Sequence, residues 1–114
     1  MESELEEVIN QLQAQNQQLQ TIMIQKQGVM IQNREIESAL EYLEKMQGDE
    51  VYKTVGPILV KAGKEEIRKE LEESKEELDL KIKALQNHEK RVKEKLKESQ
   101  EKFHEMAKHV GHGG

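Results

Sequence analysis

Stepping alternately by three and four residues from Leu5 meets Leu5, Val8, Leu12, Gln15, Leu19, Ile22, Lys26, Val29, Asn33, Ile36, Leu40 and Leu43. Nine of these twelve are apolar, and the positions between them are mostly Glu and Gln. A stripe at that spacing, held over several heptads, predicts a coiled-coil helix over 4–47 rather than a helix of a globular core. Gln15, Lys26 and Asn33 interrupt it, and polar residues in such a seam cost stability but fix register. The pattern returns over 64–110 as Leu71, Lys75, Leu78, Ile82, Leu85, Glu89, Val92, Leu96, Ser99, Phe103, Met106 and Val110, again with nine of twelve apolar. Glu65/Lys69, Glu77/Lys81, Glu89/Lys93 and Glu98/Lys102 stand four apart in the favourable order. Residues 64–79 hold eight acids and four bases, and 80–110 hold five acids and nine bases. That gradient complements the dipole of a second helix.

Between the stripes lies the densest β-forming stretch of the chain, 49-DEVYKTVGPILVKAG-63. Gly56-Pro57 supplies a turn between two short strands, because Pro57 cannot donate to a ladder. The expected hairpin spans 51–61, and Gly63 is expected to free the backbone for entry into the second helix. Each stripe would run roughly 65–70 Å as a helix at 1.5 Å per residue. Matched lengths and a short connection favour an antiparallel pair. The fold class is therefore mainly α: one domain over 1–114, two long helices, one β-hairpin, and a flexible tail at 111–114.

Composition narrows the function. Apolar residues make up 34% and charged residues 36%, against about 45–50% and about 25% in an ordinary globular domain. Such a chain buries no large core of its own. A net charge of -5 argues against nonspecific nucleic-acid binding, and the absence of Cys rules out disulfide and thiolate chemistry. The acidic start Met1-Glu2-Ser3-Glu4 is unlike a signal peptide, and no apolar run nears the roughly 20 residues that span a bilayer. The expectation is a cytoplasmic protein with no membrane or nucleic-acid partner.

A lone two-stranded hairpin is marginal in water, and exposed strand edges seek partners. Val51, Tyr52, Thr54, Val55, Ile58, Leu59 and Val60 are thus expected to pair with hairpins of other chains, with the helices projecting as arms. At the far end of the arms, Leu5, Val8, Ile9 and Leu12 meet Phe103, Met106, Ala107 and Val110. Two readings stand for this tip. It is the plain end of the seam, or an adaptable Met- and Phe-bearing surface for irregular clients.

Val51-Tyr52-Lys53-Thr54-Val55-Gly56 followed by Leu59-Val60-Lys61, set between two coiled-coil helices and beside Gln25-Lys26-Gln27, resembles the β-type family of archaeal prefoldin subunits. The resemblance covers nearly the whole chain. It implies a hexamer of two α-type and four β-type subunits whose hairpins build an intersubunit β-barrel. Its tips would hold unfolded polypeptide without ATP and deliver it to a group II chaperonin. It further implies that 51–61 is the assembly element, and that Leu5, Val8, Ile9, Leu12, Phe103, Met106 and Val110 contact clients.

Catalysis needs groups converging in a concave, partly dry site, which a two-helix arm does not offer. No phosphate-cradling Gly loop is present, and Ser3, Ser38, Ser74 and Ser99 have no triad around them. His104, His109 and His112 lie close in sequence, but no Cys joins them and Gly111 loosens the segment. His88 reads as a helix-surface residue. No catalytic, cofactor or metal residue is expected. The alternative function is a structural coiled-coil adaptor with one helical partner, which leaves the β-rich centre without a purpose.

Overall fold

This computed structural model describes residues 2–112, which form four elements, α1 (Glu2–Lys45), β1 (Glu50–Val55), β2 (Ile58–Gly63) and α2 (Lys64–His112), with short connections at 46–49 and 56–57. The expected tail at 111–114 differs: α2 continues through His112, and Gly113 and Gly114 lie outside the described residues.

The helix ends have local causes. Lys45 sits in the last turn of α1, and Glu65 and Glu66 sit in the first turn of α2, each on the side that the helix dipole favours. α1 stops two residues short of Gln47. Met46 donates its N–H to the Tyr42 carbonyl at 3.0 Å, and Gly48 then turns the chain at φ +104°. Only glycine takes that conformation without strain. Lys64 Nζ caps the Met46 carbonyl at 3.5 Å, satisfying a carbonyl that the helix end leaves open. Gly63 plays a different part from the expected one. It pairs with Glu50 as the last residue of β2, and α2 follows with no intervening residue.

β1 and β2 form a two-stranded antiparallel sheet in register Glu50↔Gly63, Val51↔Ala62, Tyr52↔Lys61, Lys53↔Val60, Thr54↔Leu59 and Val55↔Ile58. Gly56-Pro57 is its two-residue loop. Gly56 has φ +58°, and proline holds φ near about -65°. Those signs belong to a type II′ turn, whose twist suits flanking strands. The N–H of Lys64 donates to the Asp49 carbonyl at 3.0 Å and extends the pairing one step past the strands.

The chain divides into two compact units. A terminal unit comprises Met1–Gln27 with Ala84–Gly114, and a hairpin unit comprises Gly28–Lys83. In each, a segment of α1 is bonded across to a segment of α2, by Lys26 to Glu89 in the terminal unit and by Asn33 to Asp79 in the hairpin unit. All twelve seam positions of α1 are half-buried or buried, as are the eleven of α2 whose side chains are described. Among the described residues Val8, Ile22, Leu43 and Val92 are the apolar side chains most fully closed, at 2–6% exposure. Each helix has one partner, so most seam residues are only half covered. Half burial is worth about 1 kcal/mol per large aliphatic side chain.

Candidate functional site

Side chains along a strand alternate between faces, and cross-strand partners share a face. One face of the hairpin therefore carries Val51, Lys53, Val55, Ile58, Val60 and Ala62, and the other carries Glu50, Tyr52, Thr54, Leu59, Lys61 and Gly63. On the first face Val51, Lys53 and Ala62 are half-buried, and Lys53 donates to Glu70 of α2 at 3.1 Å. The helix thus covers the base of that face. Toward the turn, Val55, Ile58 and Val60 continue the apolar strip into solvent. The second face has no cover: Tyr52 is 64% and Leu59 71% exposed, beside a Glu50–Lys61 ion pair at 2.7 Å. Each strand uses one edge for the other and, among the described residues, leaves its second edge unpaired. Of the seven residues expected to assemble, only Val51 is half-buried, and the other six lie open.

In the terminal unit, Val8 is 4% exposed and seated in the seam. Leu5, Ile9, Leu12, Phe103 and Met106 are half-buried, each keeping part of its surface accessible. The side chain of Val110 lies outside the described residues. Between the two helices here runs an open groove of about 740 Å³, lined by Val8 and Met106 together with Glu4, Glu7, Gln11, Glu98, Glu101, Lys102 and Glu105.

The titratable groups of the seam are tied to one another. Lys26 Nζ lies 3.0 and 3.2 Å from the two oxygens of Glu89, and this bond holds the Glu89 carboxyl below the usual carboxylate range. Lys93, at 3.7 Å, adds to the effect. In the hairpin unit, Glu37 at 3.2 Å and Asp79 at 3.4 Å push the Lys75 ammonium up. Asn33 donates Nδ2 to Asp79 at 2.9 Å, while Asn33 Oδ1 and Gln15 Oε1 are enclosed without a hydrogen-bond partner. Lys26 to Glu89, Glu37 to Lys75 and Asn33 to Asp79 tie helix to helix.

Gln18 donates its amide to His88 Nε2 at 3.3 Å, a surface tie across the helices. His104 and His109 are exposed, and the side chain of His112 lies outside the described residues. Among the described residues no three His, Asp or Glu side chains gather to hold a metal, and no helix is long and apolar enough to cross a membrane. The heptad reading overlooked an exposed apolar set off the seam: Met23, Ile24, Ile31 and Tyr42 on α1 and Leu80 on α2. Its sequence signal was apolar residues standing at positions where a coiled coil wants polar ones.

A family model described as prefoldin subunit matches residues 6–109. The chain is 40% identical to the prefoldin subunit beta of Thermococcus onnurineus over 101 residues, which covers 88% of this chain and 87% of that one. It is likewise 40% identical to the prefoldin subunit beta of Archaeoglobus fulgidus over 104 residues, 90% of each chain. In structure it is similar to the crystal structure of the prefoldin beta subunit from Thermococcus strain KS-1, with a TM-score of 0.84 at 36% identity, covering 90% and 91% of the two chains.

Proposed function

Because the chain belongs to the prefoldin subunit family, we propose that it acts as the β-type subunit of a cytoplasmic chaperone that holds unfolded polypeptide without ATP and passes it to a group II chaperonin. The partner is an α-type subunit, in a hexamer of two α and four β chains. The observation that carries this reading is the open hairpin. Tyr52, Val55, Ile58, Leu59 and Val60 are all exposed on a two-stranded sheet with two unpaired edges. An isolated pair of strands is marginal in water, so the hairpin supports pairing with hairpins of further subunits. Assembly multiplies binding sites. Several weak apolar contacts on one client then raise effective concentration while each still releases readily. Leu5, Ile9, Leu12, Phe103 and Met106, half-exposed in the terminal unit, are the client contacts in this reading, with the buried Val8; Val110, the seventh expected contact, has its side chain outside the described residues. The adaptor alternative has no use for the hairpin.

The test is mass in solution of the chain alone and mixed with an α-type subunit, followed by aggregation of an unfolded protein with and without the particle. The expected result is a defined hexamer in the mixture that suppresses aggregation with no nucleotide present. A two-chain coiled coil that ignores the α-type subunit would overturn the reading and favour the adaptor.

A further inference from the structure

We infer that the ion pair between Lys53 of β1 and Glu70 of α2 is a strut that sets the angle of the hairpin to α2, and so governs how readily the hairpin joins others; this rests on the assembly reading above and names the pair that positions the assembling element. Glycine stands at both roots of the hairpin. Gly48 turns the chain out of α1 at φ +104°, and Gly63 is the last residue of β2 before α2 begins. The roots are fastened to each other: the N–H of Lys64 donates to the Asp49 carbonyl at 3.0 Å, and Lys64 Nζ reaches the Met46 carbonyl at 3.5 Å. The ladder makes the two strands one piece. The soft motion left to that piece is a tilt at its glycine roots, toward α2 or away from it.

Lys53 and Glu70 are placed to oppose this tilt. Lys53 pairs with Val60, three residues before Gly63, which is about 10 Å along the strand at about 3.3 Å per residue. Glu70 lies six residues after Lys64, about 9 Å along the helix at about 1.5 Å per residue. Strand and helix are thus two legs of a triangle with its corner at Gly63-Lys64, and the 3.1 Å bond closes the third side. Among the described residues no other side-chain hydrogen bond or ion pair joins a strand to a helix. Val55 and Ile58 lie beyond the strut, so a small change of angle at the roots moves them further than it moves Lys53. An exposed pair of this kind adds little to stability. Its effect is on geometry, because strand edges pair only when they arrive in line and in register. A hairpin whose angle wanders is competent for part of the time, and its apparent affinity falls by that fraction.

The chain has no Cys, so Thr54→Cys with Glu73→Cys places two spin labels whose separation reports the angle. The labelled full chain, diluted with unlabelled chain, gives the distance distribution, and sedimentation with an α-type subunit gives assembly. Lys53→Met and Glu70→Gln cut the pair from either side. Each should broaden the distribution and raise the α-type concentration needed for half-assembly about five- to tenfold, with helix content unchanged. Lys53→Glu combined with Glu70→Lys should restore the narrow distribution and the assembly. Lys61→Met cuts the Glu50–Lys61 pair, which joins strand to strand, and should leave the distribution narrow. A distribution that stays narrow in both Lys53→Met and Glu70→Gln overturns the strut and leaves hairpin assembly intact. A broadened distribution with undiminished assembly overturns the link between angle and joining. Failure of the charge swap to restore the narrow distribution overturns the assignment to the pair. A parent chain that forms no particle with the α-type subunit overturns the assembly reading, and the distances still decide the strut.

Discussion

Lys26 of α1 reaches across the seam to Glu89 of α2 and donates to both of its carboxylate oxygens, at 3.0 and 3.2 Å. Both residues stand at heptad positions where a coiled coil usually places aliphatic side chains. A charge pair there is a poor source of stability and a good selector of register, because no neighbouring register brings the two together. Lys26→Met alone should lower the melting temperature, since Glu89 keeps only Lys93, 3.7 Å away. Lys26→Met combined with Glu89→Leu should recover the loss or exceed the parent, while admitting shifted pairings. Thermal melts and disulfide trapping between cysteines placed on the two helices report the two effects separately.

The same pair sets an acid limb. The Glu89 carboxyl is held low chiefly by the Lys26 hydrogen bond. A group whose value falls on folding stabilises fully above its unfolded value, about 4.3 for glutamate, and loses that contribution as pH drops through the folded value. Urea midpoints should therefore fall below about pH 4.3, and the Lys26→Met variant should fall less steeply there. Lys75, pushed up chiefly by Glu37, acts with the opposite sign: its contribution is complete below the ordinary lysine value and is lost as pH climbs through the folded one. Equal acid slopes in the parent and the Lys26→Met variant would count against the assignment to Glu89.

Two glycines should respond in opposite directions. Gly28 lies inside α1, and a Cβ added there meets nothing within 4 Å. Gly28→Ala should stabilise by about 1 kcal/mol, the difference in helix propensity. Gly56 also has open space around it, but its φ of +58° is one that an L side chain adopts with strain. Gly56→Ala should destabilise by roughly 1–2 kcal/mol. Denaturant unfolding of each variant, in the assembly state of the parent, checks both signs.

The seam was legible because a coiled coil repeats one rule. Every heptad position from Leu5 to Leu43 is covered, the polar Gln15, Lys26 and Asn33 among them. The partners of those polar residues were not legible, since Lys26 to Glu89 and Asn33 to Asp79 depend on the register of two distant segments. In the hairpin, β-propensity and Gly56-Pro57 pointed to the strands and the loop. The roles of Gly48 and Gly63 could not be told apart, because either flexible residue can serve a junction, and only the observed φ of +104° at Gly48 separates them. At the terminal unit the apolar residues were visible one by one. The groove was not, because it gathers Glu4 and Glu7 with Glu98, Glu101 and Glu105 from opposite ends of the chain.

The two faces of the hairpin should respond differently to charge. Ile58 continues an apolar strip that begins at Val51 and Ala62 under the cover of α2, and it is 58% exposed. Leu59 lies on the opposite face, beside the Glu50–Lys61 pair. If the hairpin joins others, the face already partly roofed is the one a closed sheet turns inward, and the charged face stays wet. Ile58→Asp should then abolish hexamer formation with the α-type subunit, because a carboxylate enclosed without a partner ionises only at heavy cost. Leu59→Asp should weaken assembly tenfold at most, since the position keeps access to water. Helix content should be unchanged in both, because the seam residues of α1 and α2 are untouched. Analytical ultracentrifugation against a dilution series of the α-type subunit measures the two affinities. If Leu59→Asp proves the more damaging, the hairpin closes with its other face inward, and Tyr52, Thr54 and Leu59 become the enclosed layer in place of Val55, Ile58 and Val60.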